Sequence, residues 1–224
     1  MLIRLAVTLI LGLTLCLAPC FAGPIVASGA GPLPGSAQDL SVLYPTEIKG
    51  TLDFPNGVSM FKILVMNAAL FSALTVLPAA HGVPDPELFL FDSSGVGVAM
   101  NDDRTFSNTQ SCLPSTVANP CPSSRNGVGP FSNGIYFLAI TRSANLPVGA
   151  HGELFAPLLT TDIAGPVLGD AISGWNNGVN TSPNFDQINY DIVLTGTVPE
   201  PAAWMLIAGG MVLVLLRTRR VRYR

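Results

Sequence analysis

The sequence has few positive charges, and this limits the partners that it can bind. Among its 224 residues there are 11 lysines and arginines, 14 aspartates and glutamates, and two histidines. Six of the 11 basic residues lie near the two ends of the chain, which leaves five basic residues against 14 acidic ones elsewhere. Because nucleic acids are bound through clustered lysines and arginines, this balance argues against a nucleic-acid partner and favours cations as ligands.

The sequence also lacks the motifs of the common hydrolase sites. His81 and His151 are the only histidines available to activate a nucleophile, and neither lies in a catalytic motif. There is no Gly-x-Ser-x-Gly elbow, no His-Glu-x-x-His pair and no glycine-rich phosphate loop. We therefore expect a protein that is not an enzyme. The alternative is a secreted hydrolase with two carboxylates, whose separation of about 5 to 10 Å depends on the tertiary structure.

The first 22 residues have the pattern of a secretory signal peptide. One early charge precedes an apolar run over residues 5–17, and Ala22 is the last residue before a predicted cleavage at Gly23. The protein is therefore expected to be exported. A lipid-modified Cys20 is the alternative, although the proline directly before it fits a lipoprotein signal badly.

Cysteine is scarce in the exported part of the chain. Two of the four cysteines fall within the predicted signal peptide, so Cys112 and Cys121 remain as a pair. An even pair in an oxidising compartment favours a disulfide bond. A structural zinc site usually needs four ligands, and the nearest histidine along the sequence, His81, is distant. The sequence therefore predicts a disulfide between Cys112 and Cys121.

The last 27 residues combine a proline motif, a short apolar span and a basic cluster. Val198-Pro199-Glu200-Pro201 is followed by 15 uncharged residues, 202–216, with Trp204 near their start. Fifteen helical residues extend about 22 Å against a hydrocarbon core of about 30 Å, so this span predicts a short transmembrane helix. Basic residues after the span keep that end cytoplasmic and leave the body outside. These residues are Arg217, Arg219, Arg220, Arg222 and Arg224.

The order of these parts resembles the PEP-CTERM sorting signal of Gram-negative bacteria. The Val-Pro-Glu-Pro motif, Trp204, Gly209-Gly210 and the terminal arginines carry the resemblance over residues 198–224. It implies that exosortase, a membrane transpeptidase, processes a precursor held transiently in the inner membrane and facing the periplasm. The body would then reach the cell surface or the exopolysaccharide matrix. The alternative is an ordinary single-pass anchor that contains Pro-Glu-Pro by accident.

Between its two ends the sequence predicts one all-β domain, over residues 46–197. Residues 23–45 are rich in glycine, proline, alanine and serine and predict a flexible linker, with order beginning near Thr46. Apolar residues then alternate with polar ones at the period of a half-buried strand, and no segment has a helical stripe. The predicted strands cover residues 47–54, 58–67, 70–77, 87–91, 96–100, 134–141 and 188–197.

Several of these segments are similar to the bacterial pre-peptidase C-terminal domain. The similarity lies in residues 48–52, 61–63, 85–92, 101–103 and 134–140. It implies a jelly-roll-like β-sandwich that is not itself catalytic. Together with the tail, it leads us to expect an exported binding or structural protein of the surface or matrix.

Aromatic residues in predicted loops suggest a partner for such a protein. Exposed rings on a β surface are a platform for a surface polysaccharide. More often, loop aromatics pack against the ends of a sandwich, where burying one contributes about 1.5 to 3 kcal/mol, and this is what we expect for Trp175. The aromatic residues concerned are Phe106, Phe131, Phe155, Trp175 and Phe185.

Acidic residues flank the hairpin predicted over residues 87–100. Asp92 lies near its tip, whereas Asp102 and Asp103 leave its other end. Carboxylates suit Ca²⁺, which needs six to eight oxygen ligands. Aspartate also favours turns because it accepts hydrogen bonds from its own backbone. The sequence favours structural turns here, with a calcium site as the weaker alternative, and predicts no cofactor.

Overall fold

A computed structural model of the chain describes residues 22–53, 56–77, 85–114, 121, 128–157, 162–178 and 187–199. These residues form thirteen strands and two short 3-10 helices, Pro34–Ser36 and Ala68–Leu70. The prediction of an all-β fold is therefore confirmed. The strands are β1 (Pro24–Val26), β2 (Gln38–Asp39), β3 (Glu47–Asp53), β4 (Ser59–Val65), β5 (Ser72–Val76), β6 (Pro86–Asp92), β7 (Gly97–Asn101), β8 (Cys112–Pro114), β9 (Gly134–Arg142), β10 (Pro147–Gly149), β11 (Gly152–Glu153), β12 (Gly174–Trp175) and β13 (Gln187–Thr195).

The strands form two five-stranded sheets and one small sheet. Sheet A has the order β1-β3-β13-β5-β8, sheet B has the order β2-β4-β9-β6-β7, and the small sheet has the order β11-β10-β12. Without β1 and β2, the order of the eight strands in the two large sheets is that of a jelly roll. β1 and β2 add to the edges of these sheets by parallel pairing with β3 and β4.

The two large sheets share one apolar core, to which alternate residues of each strand contribute. In β3, Ile48 and Leu52 are buried while Lys49 and Asp53 are exposed, as the alternation in the sequence predicts. In β13 the buried residues are Ile188, Tyr190, Ile192 and Leu194. Leu88 and Leu90 of β6 and Leu138 and Ile140 of β9 complete the core from sheet B.

Sheet B is also covered on its outer face, so its central strands are apolar on both sides. Phe89 and Phe91 of β6 pack there against Phe155, with ring centroids 5.5 and 6.2 Å apart. Trp175 of β12 contacts the same cluster, 5.4 Å from Phe89. A continuous apolar strand is what burial on both faces requires.

The structure differs from the predicted flexible linker over residues 23–45. This segment contains β1, β2 and a 3-10 helix, and the side chain of Leu40 is buried in the core between the sheets. Ile25 and Ala27 also pack against that core. Two strands of three and two residues are too short to show a periodic pattern, which is why composition alone suggested a linker.

Both ends of the described chain leave the sandwich at the same place, which we call the tail end. Thr46 receives a hydrogen bond from Leu194 of β13 on its carbonyl oxygen, and its N–H donates to the carbonyl oxygen of Gly23. The carbonyl oxygen of Gly196 accepts from Met66 and Asn67 after β4, so both sheets meet here. The opposite end of the sandwich, where β6 and β8 begin and β7 and β9 end, is called the far end.

Candidate functional site

The predicted sorting motif begins directly at the tail end. The hydroxyl of Thr197 is buried and donates to the carbonyl oxygen of Pro45 at 2.7 Å, which holds the chain to the sandwich two residues after β13. Val198 and Pro199 follow and are half-buried. Ala22 and Gly23, the predicted signal-peptide cleavage site, are half-buried beside the same end.

The rest of the predicted tail lies outside the described residues. This holds for Glu200, Pro201, Trp204, the apolar span 202–216, and the arginines at 217, 219, 220, 222 and 224. The N-terminal segment 1–21 lies outside them as well. Within the described residues, none of the helices is both long and apolar enough to cross a membrane.

The far end carries a cluster of acidic residues, which is the candidate site of the folded domain. One carboxylate oxygen from each of Asp85, Asp102 and Asp103 lies within 4.8 Å of the other two. Asp85 precedes β6, and Asp102 and Asp103 follow β7, so the β6–β7 hairpin brings them together. Leu88 pairs with Asn101 across this hairpin, which places Glu87 beside Asp102. We call Asp85, Glu87, Asp102 and Asp103 the acidic cluster.

Buried amide and hydroxyl groups fix the backbone of the acidic cluster. Asn101 is fully buried, and its side-chain amide donates to the carbonyl oxygens of Asp103 at 3.0 Å and Asp162 at 3.2 Å. Its Oδ1 accepts from the N–H of Cys112 at 2.8 Å. The hydroxyl of Ser111 contacts the carbonyl oxygens of Pro86 and Asp102. The start of β6 and the end of β7 are therefore held in a fixed relation.

Burial and mutual repulsion disfavour the ionised forms of these carboxyl groups. Burial, followed by the charge of Asp102, raises the pKa of Glu87 well above its usual range. Burial raises the pKa of Asp102 to about 7, and the charge of Asp85 adds to this effect. Burial also raises the pKa of Asp103. These are the shifts expected when like charges are gathered in a desolvated place.

One buried arginine lies near the acidic cluster. Arg142, at the end of β9, is 1% exposed. Burial lowers the pKa of its guanidinium, and the negative charge of Asp85 opposes this effect. Of the four carboxyl groups, that of Asp85 is therefore the one on which this positive charge acts.

Asp92, the third predicted calcium candidate, lies at the opposite end of the hairpin. Its Oδ1 accepts hydrogen bonds from the N–H groups of Ser94 at 2.8 Å and Val96 at 3.0 Å. Gly95 adopts a φ of 82° between them, so the carboxylate closes the turn. The structure thus places Asp92 in a turn and separates it from Asp102 and Asp103 by the length of β7.

Asp85 and Glu87 were not among the residues singled out from the sequence. Asp85 stands between two prolines and precedes the strand predicted over residues 87–91. Glu87, however, interrupts a strand in which every later residue up to Phe91 is apolar. A charged residue in such an apolar run is the sequence signal by which Glu87 could have been found, because a buried strand carries a carboxylate only where that group has a partner.

The predicted disulfide is confirmed next to the acidic cluster. Cys112 and Cys121 are bonded with their Cα atoms 5.8 Å apart. Cys112 begins β8, whose first residues pair with β5. The bond therefore ties the segment after β8 to the far end of sheet A.

The histidine and aromatic candidates lie at separate places. His151 is exposed and its Nδ1 lies 2.9 Å from Oδ2 of Asp170, whereas His81 lies outside the described residues. Trp175 donates from Nε1 to the carbonyl oxygen of Pro32 at 2.8 Å and packs on Phe89. Trp175 is therefore packed, but it packs from β12 on the outer face of sheet B and not, as predicted, from a loop against an end of the sandwich.

The five aromatic residues do not form one platform. Phe155 is fully buried, while Phe106 and Phe131 are 89% and 79% exposed. Phe185 lies outside the described residues. Among the described candidates, only Phe106 and Phe131 therefore offer a free ring to a ligand.

Comparison with known families agrees with the sequence interpretation of the tail. The chain matches the family model of the PEP-CTERM protein-sorting motif over residues 197–220. A search of curated proteins found no match. The match confirms the predicted sorting signal, and it begins at the residue whose hydroxyl is fixed to Pro45. Such a motif indicates an exported protein that is processed by exosortase, a membrane enzyme.

Proposed function

We propose that the chain is an exosortase substrate whose jelly-roll domain is delivered to the cell surface or exopolysaccharide matrix and serves there as a binding or structural module. The observation that carries this proposal is the sorting motif at 197–220, which starts two residues after the last strand of the domain. The domain is therefore complete before the motif begins. Cleavage within the motif would release it without removing any of its strands.

The shared position of the two ends supports a membrane-bound precursor. Gly23 and Thr197 are both fixed to the Pro45–Thr46 segment at the tail end. A signal peptide and a tail that are both inserted in the inner membrane would then hold this end against the periplasmic face. The far end, with the acidic cluster, would point away from the membrane.

Fractionation with intact-mass analysis tests the sorting step. In cells with exosortase, the wild-type protein should lose its tail near residues 198–201 and reach the surface fraction. A variant with Pro199→Ala, Glu200→Ala and Pro201→Ala should remain in the membrane with Arg224 still present. Thr218→Ala is the control, because it leaves the motif, the apolar span and the arginines unchanged. Retention of Arg224 in surface material from both wild type and triple variant would contradict the proposal.

A surface polysaccharide is the partner class that we propose for the delivered domain. Phe106 and Phe131 support this choice, because both rings are exposed and aromatic faces pack well on sugar rings. Replacing both with alanine should reduce retention of the domain in isolated exopolysaccharide. Retention equal to that of wild type would exclude these two rings as the contact.

A secreted hydrolase is the second candidate function. The acidic cluster favours it, since carboxyl groups with raised pKa values are typical of general acid catalysts. Incubation of the purified protein with exopolysaccharide fragments tests this candidate. Release of reducing ends by wild type that is lost in Asp102→Asn would establish the hydrolase. If neither protein releases reducing ends, the hydrolase is excluded for this substrate and the binding or structural role is retained.

A further inference from the structure

We propose that the acidic cluster is a calcium site, with Asp85, Asp102 and Asp103 as its carboxylate ligands and Glu87 as a buried carboxyl group beside them. The spacing of the three ligands fits one ion. Two oxygens bound to the same Ca²⁺ at about 2.3 to 2.6 Å lie no more than about 5 Å apart. The oxygens of Asp85, Asp102 and Asp103 meet this limit, because all three lie within 4.8 Å of one another.

Glu87 gives independent support for a bound ion. Its side chain is 2% exposed, and its Oε2 has no hydrogen-bond partner among the described residues. Strand pairing places it beside Asp102 and on the same face of the hairpin. A buried carboxyl group with an unsatisfied oxygen is unfavourable as an anion unless it meets a cation, and without one it binds a proton instead.

Further unsatisfied oxygens point to the same place. Within the described part of the chain, Oδ1 of Asp102 and Oδ1 of Asp103 are also buried without a hydrogen-bond partner. With Oε2 of Glu87, three acidic residues thus keep one oxygen each for a ligand. Turn formation does not use these oxygens, in contrast to Oδ1 of Asp92, which accepts two backbone hydrogen bonds.

The charge balance also leaves a demand for a cation. Arg142 contributes a positive charge near Asp85, while the charges of Asp102, Asp85 and Asp103 all add to the effect of burial in raising the pKa of Glu87. A divalent ion would offset this mutual repulsion. Neutralisation of this kind is how buried charge clusters become stable in a folded protein.

The chemistry of the cluster favours calcium over other divalent ions. All three proposed ligands are carboxylates, whereas zinc prefers nitrogen and sulfur ligands. Magnesium requires near-octahedral geometry at about 2.0 to 2.1 Å and retains water, while calcium accepts irregular sets of oxygens. Calcium sites of extracellular modules have dissociation constants of about 10⁻⁴ to 10⁻³ M, and the sorting motif indicates an exported protein.

Direct titration of the full-length chain in detergent tests the proposal. After chelator treatment and buffer exchange, CaCl₂ should give a saturable heat in isothermal titration calorimetry, with one ion per chain. MgCl₂ should bind at least about tenfold more weakly. No saturable binding up to about 10 mM CaCl₂, or equal binding of the two ions, would overturn the proposal.

Variants locate the binding at the acidic cluster. Asp103→Asn should weaken calcium binding by at least about tenfold, because it removes one charged ligand. Glu87→Gln should weaken it as well, because it removes a negative charge beside the ligands. Asp92→Asn makes the same chemical change at the other end of the hairpin and should bind calcium as wild type does. Circular dichroism in chelator confirms that each variant is folded. Binding by both cluster variants at wild-type affinity would place the ion elsewhere and refute the assignment.

Discussion

Replacing Asp102 with asparagine should stabilise the protein at pH 8 when divalent cations are removed. Asp102 is 9% exposed, and burial raises its pKa from 3.8 to about 7. The folded state therefore holds this proton more tightly than the unfolded state does. The corresponding contribution to the free energy of unfolding is complete below the unfolded pKa of 3.8 and is lost as the pH rises to about 7.

The size of the effect follows from the same shift. A pKa that moves from 3.8 to about 7 corresponds to about 4 kcal/mol at most. Water entry and local rearrangement reduce this penalty. We therefore expect the free energy of unfolding of Asp102→Asn to be about 1 to 3 kcal/mol higher than that of wild type at pH 8. Near pH 3 both side chains are neutral in both states, and the difference should vanish. Asparagine also keeps an oxygen that accepts from Ser143, as Asp102 does.

Urea unfolding followed by circular dichroism measures this difference. The full-length chain in detergent is compared at pH 3 and pH 8 with chelator present, and Asp92→Asn is the control for a charge removed from the same hairpin. An increase in the free energy of unfolding of Asp102→Asn that is equal at both pH values would refute the electrostatic reasoning. The absence of any increase at pH 8 would refute it as well. Saturating calcium should reverse the order at pH 8, because only the wild type then has its full set of ligands.

Two further predictions concern the folded domain. Thiol labelling of the unreduced, denatured protein should find neither Cys112 nor Cys121 free, and reduction should lower the free energy of unfolding by about 2.5 to 3 kcal/mol, the loop entropy of a ten-residue closure. Full labelling of both cysteines would exclude the bond in the exported protein. Gly50→Ala should destabilise the domain by about 1 to 3 kcal/mol, because its new methyl group overlaps the hydroxyl of Tyr190. Gly169→Ala is its control, since no atom lies within 4 Å of a β-carbon there, and equal melting temperatures for the two variants would contradict the predicted overlap.

The long strands could be predicted from the sequence because they alternate. Residues 47–54 and 188–197 show a period of two, and the structure forms β3 and β13 there within about two residues at each end. The edge strands β1 and β2 could not be predicted, because their position depends on pairing with β3 and β4 rather than on a local pattern. The sorting motif could be recognised from the sequence because its parts follow one another in a fixed order along the chain and do not depend on tertiary pairing.

The acidic cluster was only half predictable. Asp102 and Asp103 stood out because they are adjacent in the sequence, and Asp92 was grouped with them because it belongs to the same hairpin. The antiparallel pairing of β6 with β7 instead brings together the residues at the start of β6 and those after the end of β7, and it separates them from Asp92. Counting the ladder back from the tip, where Phe91 pairs with Gly97, would have placed Glu87 beside Asn101. The register shift between Leu90 and Phe91 moves this pairing by one residue, so that Glu87 lies beside Asp102.

The position of β13 links folding to export. β13 is the last strand in the sequence, yet it lies in the middle of sheet A, between β3 and β5. A chain that is exported from its N-terminus would present β3 and β5 with open edges until residues 187–195 arrive, and open edges are sites of aggregation. The sorting motif begins two residues later, so under the proposed anchoring the sheet would close as the tail reaches the membrane. Anchoring would then keep each unfinished domain apart from its neighbours until its central strand is in place.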